Sequence, residues 1–348
     1  MTDKVEPATH HEVANVESDR PRKKGGIVNT LYPPGPRPGA GPRIKNHCRK
    51  FWWCDCLVLI IIVLIIVLPI IYVAIPNKAQ SDLNASTLEV DRQEVTQPTP
   101  DSVELALDST ARSSSSFHPI IEGFRAAFYL EGQEPFVYAD IPETKAEAVT
   151  SIKVRQNVKI ANMDAFKEYN KVVIGSEEFT VLFSGKTKVR QSGLSAISVD
   201  YNKRITMKGL NKLAGLNITD LKILTSQEDI LPDGSNLVGR VIIPNPSVLT
   251  IDLGNVTMNL SVDKKPIGTA FLPDLLLKPG TNNVTMQSKV DQREILGLVS
   301  SKYKNAILPV DIIGNSSVRN GEHLPYFEEA IKSNSVRVDL NVASAIGG

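Results

Sequence analysis

Between Asp55 and Lys78 the chain carries no charge, and sixteen of the nineteen residues from Leu57 to Ile75 are Leu, Ile or Val. At about 1.5 Å per residue the run reaches roughly 28 Å, close to the ~30 Å hydrocarbon core of a bilayer, where a helix satisfies its own backbone. Each Leu, Ile or Val contributes roughly −0.3 to −0.6 kcal/mol to insertion, enough together to outweigh Pro69. The run predicts a transmembrane anchor over 51–76, with Trp52 and Trp53 at the headgroup level and Leu57, Ile60, Leu64, Pro69 and Ile75 along the span. It is longer than the roughly 7–15 residues of a signal-peptide core and follows 56 residues of chain, so it reads as an uncleaved signal anchor.

Arg37, Arg43, Lys45, Arg49 and Lys50 precede the run, whereas Lys78 and Arg92 stand among Asp82, Glu89, Asp91 and Glu94 after it. The positive-inside bias predicts a cytosolic N-terminus and a lumenal C-terminal region, which is type II topology. Cys48, Cys54 and Cys56 are the three cysteines, all at or before the membrane edge, so the region beyond must hold together by packing without disulfides. Their position suits S-palmitoylation, and equally suits small residues at a helix end. Residues 1–50 read as a disordered tail: 21–43 hold six Pro and five Gly without hydrophobic periodicity. Within it Pro33-Pro34-Gly35-Pro36 has the form of a polyproline II ligand, and Arg20-Pro21-Arg22-Lys23-Lys24 could meet anionic headgroups.

Residues 77–116, rich in Ser, Thr and Pro, predict a flexible stalk. From 117 onward the dominant signal is period two. It recurs at Ile152, Val154, Val158 and Ile160, at Phe179, Val181 and Phe183, and at Ile197, Val199 and Tyr201. It returns at Val256, Met258, Leu260 and Val262 and at Val336, Val338, Leu340 and Val342. The expected class is mainly β: one transmembrane helix followed by one or two antiparallel β-sandwich modules, split at 117–228 and 229–348. Helices are expected after Asp291, which with Glu294 is spaced as a capping box, and through Leu324, Phe327 and Ile331.

The segment VIIPNPSVLTIDLGNVTMNLSVDKKPIGTAFLPDLLLKPGTNNVTM, beginning at Val241, resembles the late embryogenesis abundant group 2 domain, or water-stress and hypersensitive-response domain, a β-sandwich of immunoglobulin-like form. An apolar strand ending in Asn245-Pro246, a second alternating strand, the Ile267-Gly268 step and the Lys278-Pro279-Gly280 turn carry the likeness. Where the family often has a second Asn after the Pro, this chain has Ser247. Pro246 restricts φ and Asn245 can bond locally, which predicts a fixed corner between sheets. From about residue 120 onward the chain also resembles a fungal family of uncharacterised single-pass proteins. That likeness implies a vacuolar or lysosomal membrane, with the plasma membrane as alternative, and β modules that hold lipid in an apolar groove.

Enzyme chemistry has little to stand on, and no cofactor is implied. His118 and His323 are the imidazoles beyond the span, and Ser195 lacks the second glycine of a nucleophile elbow. Ser184-Gly185-Lys186-Thr187 ends like a phosphate loop, but Thr180 stands where its first glycine belongs, so a hairpin turn is expected. Asp220, Glu228 and Asp229 read as solvated loop charges and lack metal spacing. A net charge of +1 gives no footprint for nucleic acid. Asn84, Asn217, Asn255, Asn259, Asn283 and Asn315 head N-glycosylation triplets, all after the span. Two functions are expected on equal terms: β modules that bind lipid or another apolar ligand, or a non-enzymatic scaffold or regulator of a membrane protein complex. The first requires a continuous gap between apolar faces; the second predicts a stable partner and an empty, dry core.

Overall fold

A computed structural model describes residues 40–343. The Pro33-Pro34-Gly35-Pro36 motif, the basic run Arg20 to Lys24 and the tail preceding residue 40 lie outside them. The chain divides into two compact units, Met1–Ile70 and Ile71–Gly348.

The first unit is described as one helix, α1 (Ala40–Pro69). It starts ten residues before the expected disordered tail ends at residue 50. Pro42 falls in the first turn, where the missing N–H leaves no intrahelical bond unmade. Trp52, Trp53, Leu57, Ile60 and Leu64 are all exposed. Among the described residues, His47–Ala85 is one helical stretch long and apolar enough to cross a membrane. At Pro69 the α-helical pattern gives way to a π-helical turn, Ile70–Ala74, before α2 (Ile75–Ala85). Proline has no N–H for the carbonyl four residues back and its ring crowds that oxygen, so the ladder widens locally.

The second unit is mainly β, built from strands β1 (Thr87–Thr96), β2 (Ser102–Arg112), β3 (Ile120–Ile121), β4 (Phe124–Tyr129), β5 (Val137–Ile141), β6 (Thr144–Lys145), β7 (Val149–Lys159), β8 (Glu178–Arg190), β9 (Ile197–Lys208), β10 (Asn217–Ile223), β11 (Leu237–Asn245), β12 (Leu249–Val262), β13 (Lys265–Leu277), β14 (Gly280–Val290), β15 (Ile307–Arg319), β16 (Glu322–His323) and β17 (Ser335–Asn341). One sheet runs β10-β11-β14-β13-β12-β1-β2-β7, with β15 on β12 and β16 and β17 on β15. The other runs β5-β4-β8-β3-β6, with β9 on β8. Pairing is antiparallel except between β1 and β12. The five period-two segments fall on strands β7, β8, β9, β12 and β17, except that Ile160 and Val342 lie one residue past β7 and β17, and Phe179, Val181, Phe183, Val256, Met258, Leu260 and Val262 are buried.

Three helices cover the sheets. Helix α3 (Met163–Gly175) was not expected. Its signals are Asn162, whose side chain accepts from the N–H groups of Asp164 and Ala165, and Phe166, Tyr169, Asn170 and Val173, buried at helical spacing. Helix α4 (Gln292–Ser301) starts where Asp291 predicts, its carboxylate accepting from Glu294 N–H at 3.1 Å. Helix α5 (Pro325–Lys332) buries Phe327 and Ile331, with Leu324 buried just before it. The Phe166 and Tyr326 rings lie 4.8 Å apart, tying α3 to α5.

Several expectations change. The stretch 77–116 is no flexible stalk: it holds most of α2 and all of β1 and β2, the latter pairing with β7 over its full length. Val103, Leu105 and Leu107 are buried alternately with Glu104, Ala106 and Asp108, a strand pattern masked by the surrounding Ser, Thr and Pro. A boundary at 228/229 falls between β10 and β11, which are paired neighbours in one sheet. Ser184 to Thr187 is not a turn but the middle of β8, paired with Asn202 to Val199 on β9. Gly185 is needed there because a Cβ would lie 2.5 Å from the Phe124 ring. The Asn245-Pro246 corner joins two strands of one sheet, not two sheets. Its local bonding is as expected: Asn245 donates to Leu249 C=O at 2.8 Å and accepts from Ser247 N–H and Oγ at 2.9 and 2.6 Å, so Ser247 adds a contact of its own.

Candidate functional site

The inner face of β2 reads Val103, Leu105, Leu107, Ser109, Ala111, so side-chain volume falls along the strand. The large side chains at the Val103–Leu107 end hold the two sheets about 10 Å apart, so small residues further along the same row leave space. At the Val103–Leu107 end the gap closes to a cavity of about 40 Å³. At the Ser109–Ala111 end it opens into one of about 400 Å³. Its walls are Leu107, Ile152 and Val154 from one sheet, Phe124, Ile141, Phe183, Val189 and Tyr201 from the other, and Ile75, Ala79 and Leu83 from α2.

Phe124 packs across Gly185 with its ring 5.4 Å from Tyr201 and 6.0 Å from Phe183, giving an aromatic wall. Burial pushes the Tyr201 phenol up to about 12, so it stays neutral. Against these apolar walls two polar atoms are buried without a hydrogen-bond partner, Ser109 Oγ and Gln191 Oε1. The opening is rimmed by Lys78, Phe117, Pro142 and Glu147, all exposed.

Helix α2 is bolted in place as the third wall. The Gln80 amide donates to Asp200 C=O and accepts from Asp200 N–H, both at 2.8 Å, so it pairs with β9 as a strand residue would. The Lys203 ammonium donates to the carbonyls of Leu83 and Ser86 and to Ser86 Oγ at 2.9 Å. Those carbonyls carry the partial negative charge of the helix C-terminus, which a cation complements. Burial pushes the Lys203 amine down, a desolvation effect. Ser115 Oγ donates to Asp82 at 2.8 Å, holding the segment after β2 against the same helix.

Ile75 of the predicted span lines the cavity, as do Ile152, Val154, Phe183, Ile197 and Tyr201 from the period-two segments, whereas the cysteines, acceptor asparagines and histidines lie elsewhere. Cys48 and Cys56 are exposed and Cys54 half-buried on α1, all as free thiols. Asn84, Asn217, Asn259, Asn283 and Asn315 are exposed, whereas Asn255 is half-buried and accepts from Asp274 N–H at 3.0 Å. His118 is exposed near the rim, His323 is exposed and 2.5 Å from Glu328, and Ser195 lies on an exposed loop. Among the described residues no three His, Cys, Asp or Glu side chains are placed to hold a metal. An apolar gap is one of the two expectations, without a place along the chain; the signal that places it is the fall from Leu107 to Ser109 and Ala111 on one face of an otherwise Leu/Val strand.

A family described as "Protein of unknown function (DUF3712)" matches residues 134–260, a segment that runs from β5 into β12 and includes the cavity residues from Ile141 to Tyr201. No curated protein matches the chain. Among solved structures, a bacterial adhesin from Mobiluncus mulieris with intramolecular disulfide, isopeptide and ester cross-links is 8% identical, covering 71% of this chain and 83% of its own at a TM-score of 0.18. The periplasmic chaperone SfaE is 11% identical, covering 74% and 100% at a TM-score of 0.14.

Proposed function

We propose that this is a type II single-pass endomembrane protein whose lumenal β region binds lipid or another apolar ligand. The observation that carries the reading is the cavity of about 400 Å³ with its nearly all-apolar walls. Ligand sites run from about 300 to 1,000 Å³ and are lined mostly by apolar side chains with a few polar groups. An apolar cavity of about 150 Å³ accepts benzene, so on that scale this one takes on the order of fifteen heavy atoms, the size of one acyl chain. Ser109 Oγ and Gln191 Oε1 are suited to a single polar group on such a ligand. The resemblance read from the sequence, to fungal single-pass proteins whose β modules are proposed to hold lipid, points the same way, and the vacuolar membrane is the proposed location. The scaffold alternative predicts a stable partner and an empty, dry core, so what separates the two readings is whether this gap holds a ligand.

The decisive experiment is native mass spectrometry of the full chain released from detergent. The expected result is an adduct of one lipid or fatty acid mass, lost in Ser109→Leu/Ala111→Leu, which fills the gap. A folded wild-type chain free of any adduct, even after incubation with phospholipid vesicles, would overturn the carrier reading. For topology, glycosidase treatment should increase gel mobility, and the C-terminal region should resist added protease in sealed vesicles.

A further inference from the structure

The cavity's opening lies at the end of the β unit where the chain leaves the apolar run. Helix α2 and strand β9 run side by side in the same direction: Gln80 is bonded to Asp200, and Lys203, three residues further along β9, is bonded to Leu83 and Ser86. Going back along β9 from Asp200 to Ile197 covers about 10 Å, whereas going back along α2 from Gln80 to Ile75 covers only about 7.5 Å. The loop joining β8 to β9, residues 191–196, therefore reaches as far as Ile75, the last residue of the apolar run. Its turn is made by Gly193 at φ +83°, and Leu194 lines the cavity. Phe117 and Ile120 lie at the same end, since Ile120 pairs with Arg190, the last residue of β8.

The composition of these two segments is unusual for exposed loops. Residues 191–196 read QSGLSA and residues 113–121 read SSSSFHPII, without a single Lys, Arg, Asp or Glu. Phe117 is 56% exposed and Ile120 36%. By contrast, the 224–236 connection holds Glu228, Asp229 and Asp233. Three basic groups around the opening are paired, Lys78 with Asp82, Lys145 with Glu147 at 3.0 Å, and Arg190 with Glu143 at 2.5 Å and Glu122 at 3.1 Å, while exposed Lys188 on β8 makes no ion pair among the described residues. Uncharged tips carrying Phe, Ile and Leu beside a membrane anchor suit the headgroup layer, roughly 5–8 Å deep on each side of the hydrocarbon. Neutralised charges give no attraction for anionic lipid in particular.

We infer that the 191–196 and 113–121 loops dip into the bilayer that holds the anchor, so that the cavity opens directly onto one leaflet and takes its acyl chain from there, without regard to headgroup charge. The inference rests on reading the cavity as a lipid site, but immersion of the loops is measured separately. The full chain carrying Trp52→Phe and Trp53→Phe is reconstituted in phosphatidylcholine bilayers with bromine on the upper acyl carbons, and a single tryptophan is introduced as Leu194→Trp or as Phe117→Trp. Lys304→Trp is the control: β12 runs parallel to β1, away from α2, and continues to Val262, which pairs with Val310 at the opposite end.

Quenching and a blue shift at position 194 or 117, absent at 304 and unchanged by added phosphatidylserine or salt, are the expected result. Emission at both rim positions as red and unquenched as at 304 would overturn the inference. Because native mass spectrometry reads occupancy independently, a loaded chain with unquenched loops would leave the carrier reading standing without this one, and quenched loops on an empty chain the reverse.

Discussion

The two ends of the β unit are built from the same alternating strands yet pack in opposite ways. Around β12 to β15 the buried positions are mostly large: Val256, Leu272, Leu275, Leu277 and Leu308 are 2% exposed or less, Tyr326, Phe327 and Leu324 are buried with them, and the small Ala270, Ser288 and Ser317 are interspersed rather than in one row. Around β2, β7 and β9 the inward row ends in Ser109 and Ala111, α2 contributes Ala79, and about 400 Å³ stays empty. Hydrophobic alternation thus decides which face turns inward, and side-chain volume decides whether that face closes. A void has no partner atoms on one side, so the cavity end gives up dispersion energy that the closed end keeps.

The harshest way to break the comparison is truncation. A chain starting at residue 117 loses α2, β1 and β2, and with them the β2 partner of β7, the β1 partner of β12, and the α2 and β2 sides of the cavity. It should fail to give a cooperative unfolding transition, whereas a chain starting at residue 77 should retain one, as circular dichroism in denaturant will read. Next comes Phe327→Ala in the closed end, expected to lose about 3–5 kcal/mol, against clearly less for Leu107→Ala on the cavity wall, where one side already lacks neighbours. Equal losses would mean that the gap is filled in solution.

Lys203→Met tests whether α2 is a fixed wall. Removing the donor from the α2 carbonyls should destabilise by about 1–3 kcal/mol and expose 77–86 to limited proteolysis. The smallest effect is common to both ends and titrates with acid. Hydrogen bonds from Arg92 hold the Asp108 carboxyl below its ordinary value, and those from Arg337 at 2.7 and 2.8 Å do the same for Asp311. A carboxylate with a depressed folded pKa stabilises above its unfolded value of 3.8 and loses that contribution as pH falls through the folded one. The contribution of these two groups should therefore be constant from neutral pH down to about 4 and be lost below, with Asp108→Asn and Asp311→Asn each flattening the acid decline by a similar small amount.

Much of the architecture was legible because it depends on local chemistry. The apolar run, the five period-two strands, the Asp291 cap and the Asn245-Pro246 corner each announce themselves within a few residues. Helix α3 announces itself just as locally, through Asn162 and the Phe166 to Val173 spacing, but went unread. The stalk misreading shows the limit of composition: Val103, Leu105 and Leu107 needed β7 opposite them before the surrounding Ser and Thr made sense as an exposed face. Likewise Gly185 belongs to a strand only because Phe124 lies over it.

What the amino-acid order determined alone was an apolar run long enough to cross a membrane and an alternation that commits the rest to sheets, since both follow from the period of the backbone and from water's rejection of apolar surface. Only the tertiary structure decided that Ser109, Ala111 and Ala79 converge on one gap, that Gln80 and Lys203 pin the membrane-proximal helix beside it, and that two uncharged loops surround its opening. Those residues are up to 124 positions apart along the chain, and their juxtaposition depends on strand order, which nearest-neighbour chemistry does not encode.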